Sequence, residues 1–191
     1  MEYFDNPIKT FEKWFIDAVN AKLTEPNSFT LATVGKDLRP AQRVVLLKTY
    51  GNDGFVFFTE KDTKKVKQIL ENSSVSAHFS WLKLERQVRI EGVVESVSNM
   101  EFLKILMRKK GLNADRWLSV ESNVINARRV LEKKLDIIRF EVAKTKKLPS
   151  MWQIYKIIPE YFEFWQGCKD KLYESVEYFY QNSKWIAKFN G

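Results

Sequence analysis

The chain has 191 residues, 45% hydrophobic and 14% aromatic, which suits one globular domain with a sizeable core. Its formal net charge of +8 favours anionic partners, yet the cations are scattered in small groups (Lys64-Lys65, Arg108 to Lys110, Lys144 to Lys147). A nucleic-acid-binding domain gathers them into a stripe, so no nucleic-acid partner is expected. One cysteine, Cys168, excludes an internal disulfide, and with one histidine, His78, a zinc site of the usual ligand types has no ligands to draw on. No metal is expected. No apolar run approaches the ~18 residues of a membrane span, and the N-terminus lacks a basic-then-apolar leader pattern. The expectation is a cytoplasmic protein with no membrane partner.

In chain order, apolar residues Phe11, Trp14, Phe15, Ala18 and Val19 recur at helical spacing and predict an amphipathic helix over 7–23, stopped at Pro26-Asn27. Residues 28–34 read as a strand and 35–40 as a turn. Residues 42–48, Gln-Arg-Val-Val-Leu-Leu-Lys, place four aliphatic residues between two cations. A run so short and apolar reads as a strand buried on both faces, continuing to Tyr50. Arg43 and Lys48 at its ends either snorkel to water or flank something anionic. Gly51-Asn-Asp-Gly54 is a turn signal, so 55–58 is the third strand.

Asp62 or Thr63 can cap a short helix over 64–71, with Val66, Ile69 and Leu70 on its apolar side. Lys64 and Lys65 in its first turn oppose the helix dipole, a conflict that a bound anion would resolve. Val75, Ala77, Phe79 and Trp81 alternate with polar residues as a half-buried strand, with His78 on the polar face. The next strand spans 85–97, and its phase slips at Gly92, where a bulge is expected. Ser98 and Glu101 form a capping-box pattern opening a helix to about Lys110, with further helices over 112–120 and 124–140. Strands return over 152–158 and 161–165, separated by Pro159-Glu160, and 175–180 and 184–189 form a final hairpin. One domain over 1–191 is expected, with a helical insertion at about 98–142 and C-terminal strands at about 152–189. The fold class is mainly β with helices (α+β): an antiparallel, nearly closed barrel.

With these elements placed, the sequence resembles the pyridoxamine 5′-phosphate oxidase family, FMN-binding split β-barrel flavoproteins. The resemblance covers about 11–189 and is carried by residues 42–48, by 54–59 (Gly-Phe-Val-Phe-Phe-Thr), by 84–92 (Leu-Glu-Arg-Gln-Val-Arg-Ile-Glu-Gly) and by 163–167 (Glu-Phe-Trp-Gln-Gly). It implies that FMN is the cofactor and that a homodimer carries FMN at its interface. Arg43 would bind the FMN phosphate with Lys64 and Lys65. Val44, Val45 and Leu46 would line the flavin through backbone and side chain, followed by Phe58 and Thr59. Gln87 would meet the isoalloxazine edge with its amide. Ser122 and Trp165 are similar to further FMN-contact positions. Lys48 resembles the family lysine that reaches the substrate, and Lys109 occupies a substrate-phosphate position. The implied reaction oxidises pyridoxamine or pyridoxine 5′-phosphate to pyridoxal 5′-phosphate, with hydride passing to flavin and oxygen returning hydrogen peroxide.

The departures lie on the substrate side. Where the family has Arg-Leu-His followed by another Arg, this chain has Lys171, Leu172, Tyr173 and Ser175. Lys171, the catalytic candidate, keeps the charge over the flavin without the planar fork, and Tyr173 replaces an imidazole. Glu121 stands where a neutral Gln is usual, and Ile105 at a Tyr position. The alternatives are therefore a related flavin oxidoreductase acting on a different, aromatic, phenazine-like small molecule, or a non-catalytic flavin- or B6-binding protein.

Overall fold

Apolar residues at every second position of successive short segments produce a barrel whose inside is aromatic. In the computed structural model, residues 3–98, 101, 152–168 and 173–190 are described. The order is α1 (Pro7–Asn20), β1 (Ser28–Val34), β2 (Pro40–Gly51), β3 (Gly54–Glu60), α2 (Lys64–Glu71), β4 (Ser74–Trp81), β5 (Arg86–Val97), β6 (Trp152–Gly167), β7 (Tyr173–Gln181) and β8 (Lys184–Asn190). The strands run β3-β2-β1-β4-β5-β6-β7-β8, and an additional β3–β6 pairing closes the first six into a barrel. All pairings are antiparallel.

The helix α1 plugs one end of this barrel. Asn6 caps it, its side chain accepting from the Ile8 N–H at 2.9 Å, and Pro7 is suited to the first turn, where no N–H is needed. Phe11 is fully buried and its ring meets Tyr50, Phe55 and Phe79 edge-on at 4.9–5.0 Å. Arg86 fastens the helix from outside: it donates to Asp17 at 2.9 Å and to Gln166 at 2.6 Å, and lies 4.7 Å over the Trp14 ring. The helix ends at Asn20, and Val19 is exposed rather than part of the buried stripe.

Closure depends on β6. Its first half pairs with β3 (Trp152 to Ile157) and its second half with β7 (Tyr161 to Gly167), while β5 lines the other edge throughout. The expected break at Pro159-Glu160 is absent: β6 is one strand of 16 residues. Pro159 sits between the two partners on that edge, where its missing N–H leaves no ladder bond unmade. It faces Gly92, and the pairing shifts there, but not through the phase slip expected in β5: the extra residue is Glu160 of β6, while the buried positions of β5 keep alternating through Val88, Ile90, Gly92 and Val94. A Cβ at Gly92 would collide with the Ile158 carbonyl oxygen, so only glycine allows β5 and β6 to approach this closely.

The expectation of a strand buried on both faces is also corrected. In β2, Val45 and Leu47 face the core while Val44 is 66% exposed. Four aliphatic residues in a row conceal an ordinary period of two, because the outward positions are apolar as well. A bulge follows. Leu47 pairs with Phe57 and Thr49 with Val56, so Lys48 is an extra residue between them. Beyond it the facing switches, which turns Tyr50 inward onto Phe11 and leaves Thr49 beside Val56. On α2, Val66 and Ile69 are buried but Leu70 is 77% exposed. The helices expected over 98–110, 112–120 and 124–140 lie outside the described residues, apart from their start, where the Glu101 N–H donates to Ser98 Oγ at 3.1 Å.

Candidate functional site

Arg43 enters β2 at the end of the barrel away from α1, roughly 20 Å of strand from Tyr50. Its guanidinium Nη1 donates to the Leu31 carbonyl at 3.1 Å and to Thr33 Oγ1 at 2.6 Å. The start of α2 delivers Lys65 to the same place, donating to Thr59 Oγ1 at 2.9 Å. Burial and then Arg43 hold the Lys65 ammonium below its usual value, with Glu60 pulling the other way. Burial does the same to Arg43. Two cations thus converge at a cost to both, and the acceptors recorded for them among the described residues are neutral oxygens. That donor set fits a multiply charged oxyanion.

The two lysines at the start of α2 part company. Lys65 turns inward, whereas Lys64 is exposed, because adjacent helical positions point about 100° apart. Thr63 occupies the cap position but does not cap; its hydroxyl donates to the Glu60 carbonyl at 3.2 Å. Outward from the same strands, Val44, Leu46 and Phe58 line an apolar wall. The bulge aims Lys48 across it, with Nζ 5.8 Å from the Phe58 ring centre. Val45 contributes only backbone to that wall, its side chain being in the core. Thr59 is 4% exposed and reaches the cradle through its hydroxyl.

A second group assembles on the outer face of β4, β5 and β6. Gln87 pairs across strands with Trp165, and the two line adjoining clefts of about 290 and 190 Å³. His78 shares the smaller cleft, its Nε2 standing 3.0 Å from Gln87 Oε1. An amide oxygen only accepts, so the ring donates and the Gln87 amide NH₂ is left to face outward. Tyr173 stacks on Trp165 with ring centres 5.9 Å apart, and Ser175, opposite Trp165, is only 6% exposed. Beside this group Arg89 bridges Glu91 and Glu163 and donates to Tyr161 at 3.0 Å.

The fold therefore gathers Arg43, Lys65 and Thr59 in one place, Val44, Leu46, Phe58 and Lys48 beside them, and Gln87, Trp165 and Tyr173 in another. Gln87 lies three strands from β2 in the sheet order, about 14 Å around the barrel, on the face opposite to the one Arg43 enters. Ser122, Lys109 and Lys171 lie outside the described residues, as do Ile105 and Glu121. Sequence reasoning missed Thr33, Gln68 and the His78–Gln87 bond. Thr33 had a readable signal, a polar residue on the core-facing phase of Phe29 and Leu31. Gln68 had none, since a glutamine beside buried helix positions is ordinarily a solvated one.

Known proteins give the chain its context. A family model described as "Pyridoxamine 5′-phosphate oxidase" matches residues 15–141. A protein of Aliarcobacter butzleri named pyridoxine/pyridoxamine 5′-phosphate oxidase is 48% identical over 183 residues, covering 94% of this chain and 86% of its own. One of the same name from Rippkaea orientalis is 44% identical over 175 residues, covering 91% and 82%. Among solved structures, PhzG of Burkholderia lata, in complex with tetrahydrophenazine-1-carboxylic acid, superposes with a TM-score of 0.72 at 22% identity over 99% of this chain and 94% of its own. A pyridoxamine 5′-phosphate oxidase-related, FMN-binding protein of Nostoc punctiforme gives 0.66 at 14% identity, covering both chains fully (100% and 100%). Both structural likenesses speak to the fold.

Proposed function

The chain belongs to the pyridoxamine 5′-phosphate oxidase family, and we propose that it is an FMN-dependent oxidase whose substrate is pyridoxamine or pyridoxine 5′-phosphate. The observation that carries this reading is the Arg43–Lys65 pair, two converging cations held by neutral oxygens, which suits the terminal phosphate of FMN. Lys64, exposed beside them, adds longer-range attraction. Val44, Leu46 and Phe58 form the apolar wall along the ring system, and the Val45 backbone and Thr59 hydroxyl complete that side.

Gln87 stands three strands round the barrel from Arg43 and, with Trp165 beside it, on the other face of the sheet, which favours for both a different cofactor from the one at Arg43 of their own chain. We assign them to the flavin held by a second copy, so that the working form is a homodimer in which each site draws on both chains. The Gln87 amide NH₂, steadied by His78, would face a carbonyl or ring nitrogen of the isoalloxazine edge. Lys48, thrown outward by the bulge, would reach the substrate, joined by Lys109, Lys171 and Tyr173 on the grounds of sequence resemblance; Ser122 is assigned to FMN on the same grounds. FMN, when bound, accepts hydride from the substrate and returns the electrons to oxygen as hydrogen peroxide. The protein's part is to place charge and exclude water. Its single free cysteine suits a reducing, cytoplasmic setting.

The test is aerobic turnover of pyridoxine and pyridoxamine 5′-phosphates by the FMN-loaded protein. Pyridoxal 5′-phosphate and peroxide should rise together in equal amounts. Yellow protein that makes neither, yet is bleached by a chemical reductant, would refute the substrate. A second reading is favoured by the Trp165–Tyr173 stack, an aromatic platform where the family has imidazole. It suits an aromatic, unphosphorylated substrate, which would then be turned over in place of the B6 phosphates.

A further inference from the structure

We propose that Gln68 and Thr33 are positioning residues that set the direction of Arg43 toward a phosphate, and that they do so through one polarised hydrogen-bond chain. The inference rests on the reading of the Arg43–Lys65 end as a phosphate site. The Gln68 amide Nε2 donates to the Arg39 carbonyl at 3.1 Å, Thr33 Oγ1 donates to Gln68 Oε1 at 2.7 Å, and Arg43 Nη1 donates to Thr33 Oγ1 at 2.6 Å. Thr33 is 2% and Gln68 5% exposed, so water does not substitute for these partners.

The direction of the chain is forced from its far end. A backbone carbonyl only accepts, so at Arg39 the Gln68 amide must present nitrogen, and its oxygen must then point at Thr33. That oxygen takes the single hydrogen of the Thr33 hydroxyl. The hydroxyl is left with lone pairs alone toward Arg43, which has nothing but donors. Each link fixes the next, and the last fixes the guanidinium plane. With Nη1 committed to Thr33 and the Leu31 carbonyl, the rest of the planar fork is turned the same way in every molecule.

The chain also couples the two cations. Gln68 belongs to α2, whose first turn carries Lys65, while Arg39 and Arg43 flank the start of β2. Gln68 thus ties the helix bearing one cation to the strand bearing the other, and Glu71 reinforces the tie by accepting from the Lys36 N–H at 3.0 Å. Two like charges that repel one another are thus tied to a common framework, so a phosphate meets them without first having to gather them. A role confined to packing would need no such polarity.

The discriminating probe is riboflavin, which has the ring system and ribityl chain of FMN but no phosphate. Apoprotein titrated with each ligand gives two dissociation constants and their ratio. Gln68→Leu and Thr33→Val should each weaken FMN about tenfold, the measure of a partly lost charge-assisted bond, while riboflavin affinity stays within about twofold. Thr33→Ser, which keeps the hydroxyl, should restore the FMN value, and in an Arg43→Ala background neither substitution should weaken FMN further. Thr33→Val is nearly isosteric and keeps the test open if Gln68→Leu fails to fold. Equal losses for FMN and riboflavin would make the pair structural and overturn the inference, as would unchanged FMN affinity in both variants. Wild-type protein that binds FMN no better than riboflavin would overturn the phosphate reading itself, and the inference with it.

Discussion

Lys65 offers the sharpest separation of function from stability, because the folded chain holds it as a charge at a loss. Its ammonium gives up two charge-assisted bonds to neutral hydroxyls on substitution, to Thr59 at 2.9 Å and, more weakly, to Thr63 at 3.5 Å, worth together about 2 kcal/mol. Against that stand its desolvation and its repulsion by Arg43, both of which lower its pKa. A lysine whose folded pKa lies below its unfolded one opposes folding while charged; the cost is full below the folded pKa and fades as pH rises toward the ordinary 10.5. Gains and losses nearly cancel, so Lys65→Met should change apoprotein stability by less than about 1 kcal/mol in urea. FMN binding should suffer far more. A lost charge-assisted bond to phosphate costs about 1.5–3 kcal/mol, or roughly 10- to 150-fold in Kd, read by quenching of flavin fluorescence. An FMN Kd within about twofold of wild type, or an apoprotein destabilised by more than about 2 kcal/mol, would show that Lys65 is a structural cation and refute the reasoning.

Gly92→Ala should destabilise the fold by about 2 kcal/mol or more, since the new methyl meets the rigid Ile158 carbonyl where β5 and β6 pair; a thermal midpoint within a degree of wild type would contradict this. Alkaline titration followed by phenolate absorbance should show late-ionising tyrosines. Burial, with the hydrogen bond to Glu177 next, pushes the Tyr161 phenol up to about 12, and burial also raises Tyr155 and Tyr178. A raised tyrosine adds stability that is complete below its unfolded pKa of about 10 and is lost as pH climbs through the folded value. Unfolding that sets in well below pH 10 would place its cause elsewhere. Because His78 is the sole histidine, nitrogen NMR of the imidazole reads one residue: the neutral ring should carry its proton on Nε2, and Gln87→Ala should weaken that preference.

How much of this was legible depended on whether a feature is local. Helices α1 and α2 and the strands, with β6 read as two, follow from periodicities and turn residues within a few positions of each other, whereas the irregularity expected in β5 at Gly92 belongs to Glu160 across from it. The final hairpin closes on Asn182 and Ser183, both at positive φ (50° and 62°), close to where its turn was expected. The errors came where neighbours decide. Residues 44–47 read as doubly buried because sequence cannot tell an apolar wall facing a ligand or partner from a core. Pro159 read as a break because nothing local shows that the strand changes partners there. The bulge at Lys48 is set by pairing with Phe57 and Val56, and the sequence around it carries no glycine to announce it.

The site divides the same way. Arg43 and Lys65 stood out as charges in places that penalise charge, so chemistry alone flagged them. Gln87, Trp165 and Tyr173 were found through family resemblance rather than pattern, since a glutamine on a strand face and an aromatic pair have ordinary structural uses. Thr33, Gln68 and His78 act through other side chains, and contacts between residues 35, 29 or 9 positions apart leave no trace in any single segment.

The central claim is that one site is built from Arg43 and Lys65 of one copy and Gln87 of another. Mixing two disabled variants tests it directly. Arg43→Ala and Gln87→Ala proteins, each inactive or nearly so, are unfolded together and refolded as a mixture. If sites are shared across a symmetric pair, random reassortment makes half of the dimers mixed, and each mixed dimer carries one intact site and one doubly damaged site. Activity should then recover to about a quarter of wild type. Recovery no greater than the average of the two parents would contradict the claim and place the whole site within a single chain.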